Sequence, residues 1–173
     1  MIISRGRTYL MSELTVDANI DMNSFGFTEC GNLTLVKNSG IQMLSILPAD
    51  GDWCGHTVLD QFGENVSRGE TIYLKNDSKV WLSDANDAAK MPVKGIAVAD
   101  VLAGAIGVIL QDGFIRKDAW TWTVPNVLVP SATPGALVET TPSGSGDQIQ
   151  RVAIVVATNI INFRPSKDVL EIE

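Results

Sequence analysis

The chain has 173 residues, 45% hydrophobic and 19% charged, with a formal net charge of −7 and a pI near 4.6. That is enough apolar material for a packed core and too little charge for a disordered chain. The acidic balance opposes nucleic-acid and anionic-membrane binding, because both rely on clustered Lys and Arg, and the densest basic pair is only Arg5 with Arg7.

Residues 1–10 read MIISRGRTYL, a run too short and too interrupted by arginine for a signal peptide. No stretch approaches the ~20 apolar residues that a membrane-spanning helix needs. Without a secretion signal, Cys30 and Cys54 read as two reduced, buried thiols, with a disulfide as the alternative. Residues 33–37 (LTLVK) and 41–47 (IQMLSIL) flank Asn38-Ser39-Gly40 and predict a hairpin. Residues 49–69 are polar and glycine-punctuated; they read as a loop or linker with at most one strand, over 57–59. A second hairpin is predicted from 71–74 (TIYL) and 80–82 (VWL), which puts Trp81 in the core. Residues 84–90 predict a single helical turn capped by Asp84. Residues 93–98 read as a buried strand in which Gly95 marks a bulge or a close backbone contact. Strand, turn and strand are expected through 108–110, with a short helix over 97–105 as the alternative.

Asp112-Gly113 reads as a turn and residues 114–116 as the sheet resuming. Residues 120–124 (WTWTV) alternate bulky and small side chains with the strand period of two, which places Trp120 and Trp122 on one face. Short strands are expected at 127–129, 136–140, 149–157 and 160–163, separated by turns at 131–135 (SATPG) and 142–146 (PSGSG). The polar tail, 165–173, reads as partly loose. Short strands every ~8–12 residues predict an all-β fold, a small sandwich or barrel. A composition shift near Val66 divides residues 1–65, an N-terminal arm or subdomain, from a β-rich domain over 66–173.

Asp52, Cys54 and His56 form the pattern Asp-x-Cys-x-His, and on a strand the three would share one face. The functional reading is a thiol nucleophile or a metal site; the plain reading is a loop with a buried thiol and a solvated imidazole. A closed zinc site would need a second ligand pair, which is missing. Asp50, Asp52, Asp60 and Glu64 crowd one segment and would suit calcium or acid–base chemistry, but they lack EF-hand spacing. Gly104-Ala105-Ile106-Gly107 lacks the lysine and full glycine pattern of a phosphate loop. Trp120 and Trp122 have three readings: sugar stacking, a protein interface, or core.

A series of elements recurs in fixed order. Gly69-Glu70 precedes TIYL; Lys79-Val80-Trp81 leads to Asp84-Ala85; Pro92-Val93-Lys94-Gly95-Ile96-Ala97 follows, then Gly104, Gly107-Val108 and Gly113. SATPG, PSGSGD and IQRVAIVVA complete the series. In this order and spacing, residues from about 66 to 165 resemble phage capsid decoration (cement) proteins and related head-fibre β-domains. One departure is Ala153, where that family usually carries glycine after the final Gln-x-Val. The resemblance implies a non-enzymatic virion protein without cofactor, made in the host cytoplasm and bound to the outer capsid surface. It implies the major capsid protein and its own copies, as a homotrimer, for partners. The contact residues to be expected are Arg5, Arg7 and Tyr9 in the arm, with Trp120 and Trp122. A head-fibre or tail-fibre domain binding a host receptor or glycan is the alternative; a small hydrolase built on Cys54 and His56 is the third.

Overall fold

The computed structural model describes Met43 and residues 45–173; Arg5, Arg7, Tyr9, Cys30 and most of the expected hairpin over 33–47 lie outside the described residues. The fold is all-β. Its strands are β1 (Trp53–Gln61), β2 (Thr71–Leu74), β3 (Val80–Leu82), β4 (Gly95–Ala97), β5 (Ile106–Arg116) and β6 (Val127–Pro130). They continue with β7 (Leu137–Val138), β8 (Gln148–Ile149), β9 (Ala153–Ala157), β10 (Ile160–Phe163) and β11 (Leu170–Glu171). Nine of them form one antiparallel sheet in the order β3-β2-β4-β5-β10-β9-β6-β7, with β1 added on β5. The sheet curls into a half-barrel. β8 and β11 pair separately.

The hub is β5. β1 runs along its whole length, from Trp53 opposite Ile115 to Gln61 opposite Ile106. β4, at Ile109 and Leu110, and β10, at residues 113–116, therefore share the other edge of β5. The strand period of two sorts its side chains between two cores. Leu110 and its β4 neighbour Ile96 enter one core with Ile115, Leu128, Val155, Ile161 and Phe163. Ile109 and its neighbour Ala97 enter the other, with Phe62, Val66, Ile72 and Val80. Each fully buried aliphatic or aromatic side chain contributes roughly 1.5–3 kcal/mol, so burying β5 on both faces makes it the energetic centre of the sheet.

Several local expectations are corrected by this pairing. Residues 53–61 are not a loop: they form the nine-residue β1, and the composition shift near Val66 is no break in the sheet. Asp112-Gly113 is not a turn but the interior of β5, where Gly113 lies opposite Gly55. The reason is steric. A Cβ on Gly113 would meet the Cα of Gly55 at 2.7 Å, so the two backbones cross closer than any side chain permits. The one-residue shift between His56 and Thr57 is a bulge in the same ladder.

Residues 120–124 form no strand. Their donors go elsewhere: Trp120 N to Lys117 O at 3.0 Å, Trp122 N to Thr158 O at 2.8 Å, and Thr123 N to the Glu139 carboxylate at 2.5 Å. The 149–157 run splits into β8 and β9, with the Gln150 side chain buried in the segment between them. Residues 84–90 do contain a 3-10 turn, Ala88–Lys90, but its cap is Asp87, which accepts from Ala89 N at 3.0 Å. The tail is held rather than loose where β11 pairs with β8. Trp81 is only half-buried, its indole packed on Gly63 and covered by the Lys75 ammonium 4.1 Å from the ring centre.

Candidate functional site

The Asp52, Cys54 and His56 set lies on and just before β1. Cys54 is half-buried and lies opposite Phe114; His56 is exposed and lies opposite Asp112. Asp52 is occupied locally, accepting from Ala49 N at 2.8 Å. Asp60, at the far end of β1, is ion-paired with Lys94, and Glu64 accepts from Leu82 N at 2.9 Å. Among the described residues no three His, Cys, Asp or Glu side chains gather as metal ligands would. The carboxylates that crowd one stretch of sequence are thus separated: Asp50 and Asp52 precede β1, Asp60 lies near its far end and Glu64 follows it.

Asp50 belongs to a different arrangement. Its carboxylate accepts from Asp118 N at 2.8 Å and pairs with Arg68 at 2.7 Å. Asp118 in turn pairs with Arg116 at 2.6 Å and accepts from Asn159 at 2.7 Å, while Arg116 also donates to Leu47 O at 2.7 Å. This network ties the chain before β1 to the end of β5 and to the β9–β10 turn. The Asp118 amide, then Arg68, holds the Asp50 carboxyl below its ordinary value of 3.8. Arg116, then Asn159, does the same for Asp118. A lowered folded-state pKa adds stability above the unfolded pKa and loses it as pH falls through the folded one. Asp50→Asn is therefore expected to lower the melting temperature at neutral pH, with the gap to wild type closing as pH falls below the ordinary carboxylate range and through the lowered pKa of Asp50. Melts across that range check it; a constant gap would remove the charge from the explanation.

Trp120 and Trp122 are brought together, ring centres 6.0 Å apart at 48°. They lie in the connection between β5 and β6 and pack, half-buried, against the core that holds Ile115 and Phe163. The Trp122 Nε1 is buried without a partner. The two rings pack on the core from a connecting segment rather than standing together on one face of a strand. Trp122→Ala is expected to destabilise by about 2 kcal/mol, less than a fully buried tryptophan would, read by urea unfolding.

The exposed apolar side chains are elsewhere. Leu59 is 69% exposed, Leu102 72%, Ile106 71% and Trp53 38%. Leu59 lies opposite Val108 and diagonal to Ile106, so both share one face of the β1–β5 ladder. Trp53, Leu102, Ile106 and Val108 line a groove of about 470 Å³ beside them. This is the face that farther along carries Leu110 into the core; here the row of apolar residues runs out to the surface. A smaller exposed pair, Ile154 and Val156, lies on the outward face of β9, where Ala153 and Val155 turn inward. Clustered apolar exposure of this kind marks contact surfaces, whereas single exposed leucines do not.

No protein-family model and no curated protein matches the chain. The sequence reads Trp53 as a packing residue, whereas it is 38% exposed at the start of β1; Leu59, Leu102 and Ile106 carry no reading as surface residues in the sequence. The faint signal was there: along 53–61 an apolar or neutral residue stands at every odd position and Asp60 and His56 at even ones. Gly55 and Thr57 diluted that alternation below notice.

Proposed function

We propose that the protein is a non-enzymatic virion structural protein that binds the outer surface of a phage capsid and bridges neighbouring subunits. The observation that carries this reading is the apolar surface of Trp53, Leu59, Leu102 and Ile106 on a sheet whose hub strand is buried on both faces. A rigid scaffold that presents apolar contact area suits adhesion, because little conformational entropy is lost when it docks. The order of short elements from Gly69 to Ala157 supports the capsid as partner by resemblance. Many weak identical contacts on one particle would add through effective concentration.

The test is reconstitution. Purified protein mixed with capsids that lack it is expected to bind saturably, in hundreds of copies for an icosahedral lattice, and to raise the temperature at which the heads rupture. Leu102→Asp, on an exposed position, is expected to weaken that binding without unfolding the protein. Absence of binding, or a few copies confined to a vertex or the tail, would defeat the decoration reading; the second result would favour the fibre alternative. That alternative relies on Trp120 and Trp122 as a stacking platform for sugars, and their packing against the core leaves little open ring face for it.

A further inference from the structure

We propose that the groove between the main sheet and the β8–β11 pair is a saccharide-binding site, which takes a sugar carrying one carboxylate. The groove holds about 680 Å³, within the span of small-ligand sites. Four of its lining side chains are aliphatic. Val127 and Val129 stand two apart on β6 and so share a face; Ile149 and Leu170, ladder partners in β8 and β11, line the groove with them. Leu170 is 67% exposed, so that apolar surface is open to a ligand.

The polar side of the groove is built on one tied piece of backbone. Ser166 N donates to Arg151 O at 2.8 Å, and Ser166 O accepts from the Nε2 of the buried Gln150 at 2.6 Å. Ser166 Oγ accepts from Asp168 N at 3.1 Å, which leaves its own proton to donate. The backbone positions of Arg151, Ser166 and Asp168 are thus set before any ligand arrives. Among the described residues Arg68, Arg116 and Arg164 are each ion-paired and Arg151 is not. In a chain of net charge −7, an arginine without a carboxylate partner, lining a groove, marks the place of an anionic group from outside.

Charge also limits what that ligand is. Asp168 and Glu139 line the same groove, and Glu139 is committed to Thr123, from whose N–H and hydroxyl it accepts. Two carboxylates repel a ligand that is negative throughout, such as a phosphate chain. They suit one with a single negative group and hydroxyl donors around it. Asp168 can accept from those hydroxyls and the Asn126 amide can donate to them, while the C–H face of the ring covers the aliphatic side chains. A peptide suits the place less: β6 already pairs with β9 and β7, so it has no open edge for a peptide backbone. A uronic or sialic acid residue has the required set of groups.

The site shares no lining residue with the groove of Trp53, Leu102 and Ile106, so it stands or falls apart from the capsid reading. Arg151→Gln is expected to leave head binding intact, and Leu102→Asp to leave sugar binding intact. Calorimetry of the full chain with the methyl glycosides of glucuronic acid, galacturonic acid and N-acetylneuraminic acid tests it. Saturable binding of at least one is expected, with the neutral methyl ester of the same sugar weaker by at least about tenfold. Arg151→Gln, at an exposed position, is expected to weaken binding of the acid by a similar factor and to leave that of the ester unchanged, with circular dichroism unaltered. Lys167→Gln removes a nearby exposed cation that does not line the groove, and is expected to change nothing. No binding of any of the three acids, an ester that binds as well as its acid, or equal losses in Arg151→Gln and Lys167→Gln would each overturn the proposal.

Discussion

Replacing Gly113 by alanine is expected to destabilise the protein by about 3–4 kcal/mol, with a fall in melting temperature of at least about 10 °C. Two costs combine. Gly113 adopts φ +147, a conformation that L side chains rarely take. Its new Cβ would also press into the Cys54 carbonyl and the Cα of Gly55, and backbone cannot move aside as the tip of a long side chain can. Gly55 sits at the mirror position, where a Cβ would meet the Cα of Gly113 at 2.8 Å, so neither strand has slack. Gly104→Ala is the control. It also carries a positive φ, +83, yet nothing lies within 4 Å of its Cβ position, and the cost should stay near 1 kcal/mol. Urea unfolding of both variants measures the difference. Equal losses would show that backbone conformation alone, and not the crossing of β1 with β5, makes Gly113 necessary.

The second large effect belongs to Gln150, which is 1% exposed. Its Oε1 accepts from Val93 N at 2.8 Å and its Nε2 donates to Ser166 O at 2.6 Å. One amide thus joins the segment before β4 to the segment after β10, two parts of the chain with no ladder between them. Gln150→Leu keeps the volume and strands both backbone groups away from water. An unsatisfied buried polar group costs about 1–3 kcal/mol, so a loss of about 3 kcal/mol is expected. Hydrogen exchange should localise it, with the Val93 amide losing protection first. A loss under about 1 kcal/mol would mean that water replaces the side chain at both ends.

The hairpin of β2 and β3 was legible because its information is local. Thr71 to Leu74 and Val80 to Leu82 are β-prone, and the polar linker between them supplies Ser78 at φ 63. β1 and the middle of β5 were illegible for the opposite reason. Asp112-Gly113 carries the same local signature as a tight turn; only the arrival of Gly55 from a distant part of the chain keeps it extended. The error at Trp120 and Trp122 runs the other way. Their alternation satisfies the strand pattern, but Thr158 and Glu139 capture the donors that a neighbouring strand would need. The apolar contact surface was hidden because exposure is decided by which face of β5 runs out of covering strands, a property of the curl and not of any window of sequence.

The hub position of β5 also governs the order in which the chain is completed at the ribosome. β1 and β4 precede or flank β5 in synthesis, but β10 pairs Phe163 with Gly113 and so arrives much later. At elongation rates of about 5–20 residues per second, β5 waits for seconds with residues 113–116 unzipped along one side. During that interval the nascent chain displays an edge that the finished protein conceals. The rate of translation then bears on how much of the product escapes aggregation, alongside the stability of the final sheet.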